Sequence, residues 1–224
     1  MLTKKLLIAG VAMLVLSSFF SAASYCGKEF PDWVPREVIE KAEEILVNNK
    51  TDSGFFAGMT NAELARRELR YPFQLVRVDY ENYSKGDSIQ KHFKRLRSSG
   101  NKGYGFGFGF GLYLDDVRIA TMEVGIANGN WRLIGGDKRT SGYPDELPVI
   151  YEDYPPDKGY KIIRDFLGIY AFFVEKDNEI IQVITINPPK GISYSDPHQH
   201  MLTEKKGLIE HKKKVHLKSQ LEPQ

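Results

Sequence analysis

One cysteine, Cys26, stands in a chain of 224 residues, so no internal disulfide can brace the fold. Stability must come from a packed core, and a chain of this length can bury one. Cys26 is also an unpromising nucleophile. It lies near the start of the exported chain, where a catalytic cysteine would lack a rigid setting and a base. Beyond residue 25 no long apolar run remains, which excludes a further membrane-spanning helix. The sequence has no Gly-x-Ser-x-Gly elbow, no His-Glu-x-x-His and no phosphate-cradling loop, so the common hydrolase, zinc-protease and nucleotide-binding signatures are missing.

What is present first is a leader. Lys4-Lys5, an apolar stretch over residues 6–16 and the small residues Ser21, Ala22 and Ala23 form a secretory signal peptide, residues 1–23. Uncleaved, residues 6–25 come close to the length of a membrane anchor. The expected address is therefore secreted or periplasmic, or membrane-anchored if the leader is retained. Tyr25 directly before Cys26 is too bulky for a lipid-attachment motif. Loss of Lys4 and Lys5 with the leader brings the 31 basic residues level with the 29 acidic ones. The balance is local rather than uniform. Residues 85–102 are basic, 145–157 acidic and the tail 204–224 lysine-rich, a distribution that steers partners or simply solvates surfaces.

The most distinctive stretch is 102–135. From residue 103 to 111 every odd position is glycine, and Tyr104, Phe106, Phe108 and Phe110 hold the even ones. Strand side chains alternate between faces, so the run predicts a strand with one bare face and one aromatic rail. Asn128-Gly129 is a two-residue hairpin signal that pairs Ile126 with Trp131 and Val124 with Leu133. A turn centred on Asp115-Asp116, of two or four residues, then pairs Gly109 with Met122 and Gly107 with Val124. In that register Phe108 and Phe110 lie over Glu123 and Thr121, and large side chains lean over the glycines. A slip of one residue would exchange the two faces.

Around this meander the chain reads as mixed helix and strand. Val38, Ile39, Ala42, Ile45 and Leu46 make one stripe of a helix over 35–47, with Pro35 in its first turn. Thr60 and Glu63 have capping-box spacing for a short helix over 61–69, which Pro72 requires to stop. Residues 73–80 predict a strand, 88–97 a basic helix, 138–158 an irregular Pro-rich connection with at most one short helix, and 160–166 a helix. Segments 168–174 and 179–187 predict a second hairpin, turning at Lys176-Asp177-Asn178. Its two apolar faces argue for a central, covered position. Gly111 and Gly168 each stand two residues before a tyrosine, leaving open two related lobes (35–137 and 138–190) or two edges of one sheet.

Pro188-Pro189 is expected to close the core, with a flexible tail beyond Met201 that includes all of 204–224. The expected fold class is α+β, a curved antiparallel sheet of two hairpin or meander units packed by N-terminal helices, in a single domain over 24–203. Over residues 35–187 this element order resembles small periplasmic and envelope modules such as the cystatin-like and PepSY-like groups. The resemblance implies an architecture and no activity.

Four candidate sites follow. Lys102-Gly103-Tyr104-Gly105-Phe106 resembles the RNA-recognition-motif signature, whose aromatics stack on bases. Gly107 and Gly109 stand where that signature needs an aliphatic and an aromatic residue, and export removes the chain from cellular RNA, so no nucleic-acid partner is expected. Asp196, His198 and His200 form a candidate metal site if the segment is extended, since residues two apart then share a face. Asp145, Glu146, Glu152, Asp153 and Asp157 supply paired carboxylates for a secreted hydrolase, on a loop broken by prolines. The aromatic rail of Tyr104, Phe106, Phe108 and Phe110, bordered by Lys94, Arg95 and Arg97, is a ligand platform if uncovered and core if covered. No catalytic set assembles and no cofactor is implied. The leading expectation is a non-catalytic binding or accessory module of the bacterial cell envelope, its partner an envelope polymer, a peptide or another envelope protein. Metal binding and hydrolysis are the alternatives.

Overall fold

The computed structural model describes residues 30–48, 66–94, 107–127, 130–138, 145–166, 171–187 and 191–221, with the single positions 60, 63 and 96. The chain divides into two units, 1–31 and 32–224, and the architecture below is that of the second. The leader and Cys26 lie outside the described residues, as do Arg95, Arg97, Tyr104, Phe106, the Asn128-Gly129 turn and Gly168.

Three helices accompany nine strands among the described residues. The helices are α1 (Arg36–Asn48), α2 (Glu146–Asp153) and α3 (Pro197–Leu221). The strands are β1 (Arg67–Val78), β2 (Phe93–Lys94), β3 (Gly107–Leu114), β4 (Val117–Ala127), β5 (Asn130–Lys138), β6 (Lys161–Asp165), β7 (Ala171–Lys176), β8 (Glu179–Asn187) and β9 (Gly191–Ser195). They form one sheet in the order β5-β4-β3-β1-β6-β7-β8-β9, with β2 added alongside β1. Every pairing is antiparallel except β1 with β6. The α+β reading holds, and strands from both halves of the chain share a single sheet.

The described helices cover both faces, and among them α1 alone comes from the N-terminal part. Arg67, on the same face of β1 as Leu69, donates to the Leu46 carbonyl at the end of α1. Val38, Ala42, Ile45 and Leu46 are the buried stripe of α1. Phe110, Leu112, Met122 and Val124 are completely buried on this face of the sheet. Further along the same face, Val76, Ile163, Phe173 and Val183 pack with Tyr83, Ile89 and Met201 at the start of α3. On the opposite face, Phe73, Leu75, Ile162, Phe172, Val174 and Ile184 pack with Leu147 and Ile150 of α2.

Several local expectations give way to the structure for physical reasons. The capping box exists, since Thr60 N–H donates to Glu63 and Glu63 N–H to the Thr60 hydroxyl. The chain is nevertheless already strand by Arg67. Pro72 interrupts no helix; it sits in a bulge between Arg70 and Phe73, one of the few places where a sheet tolerates a missing N–H. Tyr71 takes positive φ there, and its ring meets Tyr113 and Tyr151 edge-on. Residues 161–165 are a strand with Ile162 and Ile163 buried on opposite faces. Of the basic helix expected over 88–97, only one 3₁₀ turn, Ile89–His92, forms before β2. The tail beyond Met201 continues as helix α3, and β9 follows Pro188-Pro189.

The β4–β5 hairpin pairs as expected, Ile126 with Trp131 and Val124 with Leu133. The β3–β4 register does not. Its turn is the anticipated two-residue Asp115-Asp116, both at positive φ, but the pairing shifts between Leu112 and Tyr113. Ile119 is the extra residue, and a single bulged residue exchanges the faces. Phe108 therefore pairs with Val124 and Phe110 with Met122, while Gly109 faces Glu123 and Gly111 faces Thr121. The glycine face is filled by neighbours. The Phe73 ring lies on Gly109, Leu147 and Tyr113 approach Gly111, and Ile134 lies against both Gly107 and Gly125.

The second hairpin repeats this construction. Asp177-Asn178 is again a two-residue turn with both φ positive, and the register again shifts, between Val174 and Glu175, leaving Ile181 unpaired. Equivalent positions run from Asp115 to Asp177, Ile119 to Ile181 and Phe110 to Phe172. Gly111 thus corresponds to Phe173 rather than to Gly168. Phe110 lies on the face that α1 covers, and Phe172 packs under α2. Two four-stranded antiparallel halves, each preceded by a helix, meet at the parallel β1–β6 seam with their faces exchanged.

Candidate functional site

The rail is core where it is described. Phe110 is 0% and Phe108 6% exposed, with Phe108 tilted against Trp131. Lys94 is exposed at the end of β2 beside Arg77. Its ammonium donates to the Lys91 carbonyl.

Asp196, His198 and His200 open a helix instead of an extended strand. Asp196 caps α3, its carboxylate accepting from Gln199 N–H at 2.8 Å and its carbonyl from His200 N–H at 2.9 Å. Positions two apart diverge on a helix. His198 Nδ1 meets the Tyr83 hydroxyl, whereas the His200 ring turns inward between Tyr80 at 5.9 Å and Phe173 at 5.7 Å. Among the described residues no three metal-ligating side chains converge.

Burial depresses the His200 pKa from 6.5 to about 4. The unfolded chain therefore takes up this proton first as pH falls. No stability difference arises from it near pH 7, a loss develops between about pH 6.5 and 4, and the loss is complete below the folded value. At roughly 1.4 kcal/mol per pKa unit the full loss is up to about 3 kcal/mol. Glu204 titrates nearby, its carboxyl raised by burial and then by Asp165, so wild type must be compared with His200→Gln. Urea unfolding at pH 7 and pH 4.5 is expected to show a smaller pH loss in the variant. Equal losses in the two proteins would contradict a neutral, packed His200.

The carboxylates of 145–157 are distributed among structural partners. Asp145 is the N-cap of α2, accepting from Leu147 N–H, and its other oxygen accepts from the Tyr113 hydroxyl at 2.6 Å. Burial first, and Asp145 next, push the Tyr113 pKa upward. Glu146 takes a two-pronged bond from Arg118 at 2.9 and 2.8 Å. Asp153 accepts from the Tyr194 hydroxyl at 2.6 Å. Glu152 and Asp157 are exposed.

Sequence reasoning missed the aromatic surface around the end of α2. Tyr154 and Tyr160 meet edge-to-face at 5.5 Å, and the Lys176 ammonium stands 4.6 Å above the Tyr160 ring. Tyr194 on β9 is 47% exposed. Its pKa is pushed up to about 12, first by the bond to Asp153, then by burial, with Tyr154 close enough to contribute. Tyr154 and Tyr160 are half-buried and pack against the α2-side core, as do Ile186 and Ile192. Ring faces, a carboxylate and an ammonium are thus gathered at one place, the chemistry by which proteins hold flat, hydroxyl-rich ligands. The available signal was Tyr151 and Tyr154 within the acidic stretch, with Tyr160 just beyond it. Nothing local joins them to Tyr194.

No protein family, curated protein or solved structure compared with this chain matches it.

Proposed function

We propose that the chain is an exported, non-catalytic binding module of the bacterial cell envelope, and that its binding surface is Tyr154, Tyr160 and Tyr194 with Asp153 and Lys176. The carrying observation is the Tyr154–Tyr160 pair capped by Lys176, beside a Tyr194 hydroxyl held by Asp153. A sugar ring of an envelope polymer suits such a surface, its C–H edges on the tyrosine faces and its hydroxyls on the charged groups. Asp145, Glu146 and Asp153 are occupied by Arg118, Tyr113 and Tyr194, which favours binding over hydrolysis.

The test is co-sedimentation of the purified protein with insoluble peptidoglycan, followed by calorimetry with soluble fragments. Tyr160→Ala and Tyr194→Ala are each expected to weaken binding about tenfold, a loss of about 1.4 kcal/mol. Binding that survives the double substitution would refute this surface. Absence of binding to any envelope polymer or peptide would refute the module reading.

A further inference from the structure

The two outer strands of the sheet, β5 and β9, are built differently. β5 is guarded in the ways that sheet edges usually are. It carries Arg132, Asp137 and Lys138, its register with β4 breaks at Ile134, and α1 lies against it. β9 reads Gly-Ile-Ser-Tyr-Ser, with no charge, no proline and no break in its pairing with β8. Ser193 and Tyr194 are exposed. The neighbouring helices lie over the faces of the sheet and not across the outer side of β9. Met201, in the first turns of α3, packs back onto Val183 of β8 and Phe173 of β7, and α2 meets Tyr194 through Asp153. Among the described residues no strand pairs with the outer side of β9.

We infer that β9 pairs antiparallel with β9 of a second copy of the chain, joining two sheets about a two-fold axis at Ser193. The strand's own sequence selects that occupant. Directly opposed residues of an antiparallel ladder must point their backbone groups the same way, so the axis falls on a residue and not between two. Ser193 is the one centre that engages all five residues. Ile192 then lies opposite Tyr194 twice, and Gly191 opposite Ser195 twice. Ile192 and Tyr194 share one face of the strand, so each exposed tyrosine ring gains an aliphatic neighbour. The charges that border the strand in the sequence, Lys190 before it and Asp196 after it, are opposite in sign. Antiparallel copies therefore meet with unlike charges at both ends, and parallel copies would not. The axis stands perpendicular to the sheet, which puts the two tyrosine surfaces on the same side of the dimer. The pairing itself does not rest on what those surfaces bind.

The test is sedimentation equilibrium of the exported form, beginning at Ser24, from about 10 µM to about 1 mM, a range suited to so short a contact. A reductant keeps Cys26 from cross-linking copies. The expected result is a mass that rises from monomer to dimer with concentration and stops there, because a two-fold contact closes on itself. Ser193→Lys and Ser193→Glu each place two like charges at the axis and are expected to weaken dimerisation about fivefold. Mixed in equal amounts, the two variants should associate again, since lysine then faces glutamate. Thermal melts check that both variants keep the fold. Monomer at every concentration would overturn the proposal and leave the edge to an extended peptide of another protein. Association that ignores both substitutions, that the mixture fails to restore, or that grows beyond a dimer would also overturn it.

Discussion

Arg118→Ala is expected to cost about 3–5 kcal/mol of folding stability, the range for removing one partner of a buried ion pair. The guanidinium is 8% exposed. It holds both oxygens of Glu146 and lies 3.3 Å from Asp145. Burial works against its charge, and the Glu146 and Asp145 interactions more than offset that, leaving its pKa raised. Alanine would strand the Glu146 carboxylate at the first turn of α2, while Asp145 keeps its bonds from Leu147 N–H and the Tyr113 hydroxyl; the change lies next to Leu147, which seals the glycine face of β3. The pair as a whole is much less decisive than either member alone. Arg118→Met/Glu146→Leu should recover most of the loss, because two apolar side chains need no compensation when buried together. Urea midpoints of the two variants decide the matter. A loss below about 1 kcal/mol for Arg118→Ala, the value of an exposed pair, would mean that water reaches this contact.

Gly109→Val should be comparably damaging, about 3 kcal/mol or more from overpacking. Even a Cβ here would sit 2.1 Å from Phe73 Cε2 and 2.3 Å from its Cζ. The Phe73 ring has nowhere to go. It is 1% exposed, stands edge-on to Phe172 at 5.6 Å and lies beneath the Arg164 guanidinium, also at 5.6 Å. Arg164 in turn holds Glu123 at 3.1 Å, the residue paired with Gly109 across the ladder. The effect should couple to Phe73. Gly109→Ala and Phe73→Ala are each destabilising, yet the double variant should cost less than their sum, because the new methyl enters space the ring has vacated. Strict additivity in thermal or urea unfolding would show that the two residues do not compete for the same volume.

These two sites show what the sequence could and could not disclose. The alternation of glycine with aromatics and the Asn128-Gly129 dipeptide are local patterns. They led correctly to a strand with unlike faces and to the pairing of β4 with β5. The inversion of the β3–β4 register came from Ile119, and a bulged isoleucine looks like any other strand isoleucine. Helix α3 had a readable start, Asp196 as cap and Pro197 at the first helical position. The two histidines drew the reading toward metal, and the lysines after them toward disorder. The tyrosine surface was not legible. Tyr154 and Tyr160 flank a 3₁₀ turn, Tyr194 lies on the edge strand β9, and it is the end of α2, through Asp153, that brings them near each other.

The lone parallel pairing has a consequence for how the chain assembles. Gln74 pairs with Ile163 across it, whereas β3–β4–β5 and β6–β7–β8–β9 each fold back through neighbouring hairpins. Short-range hairpins zip quickly, and contacts between distant chain segments wait on loop closure. Each meander is therefore the natural early structure, and joining them is the bottleneck in refolding. Until it closes, β1 and β6 each expose a strand border able to capture the same border of another copy, which makes domain-swapped association the characteristic hazard of this topology.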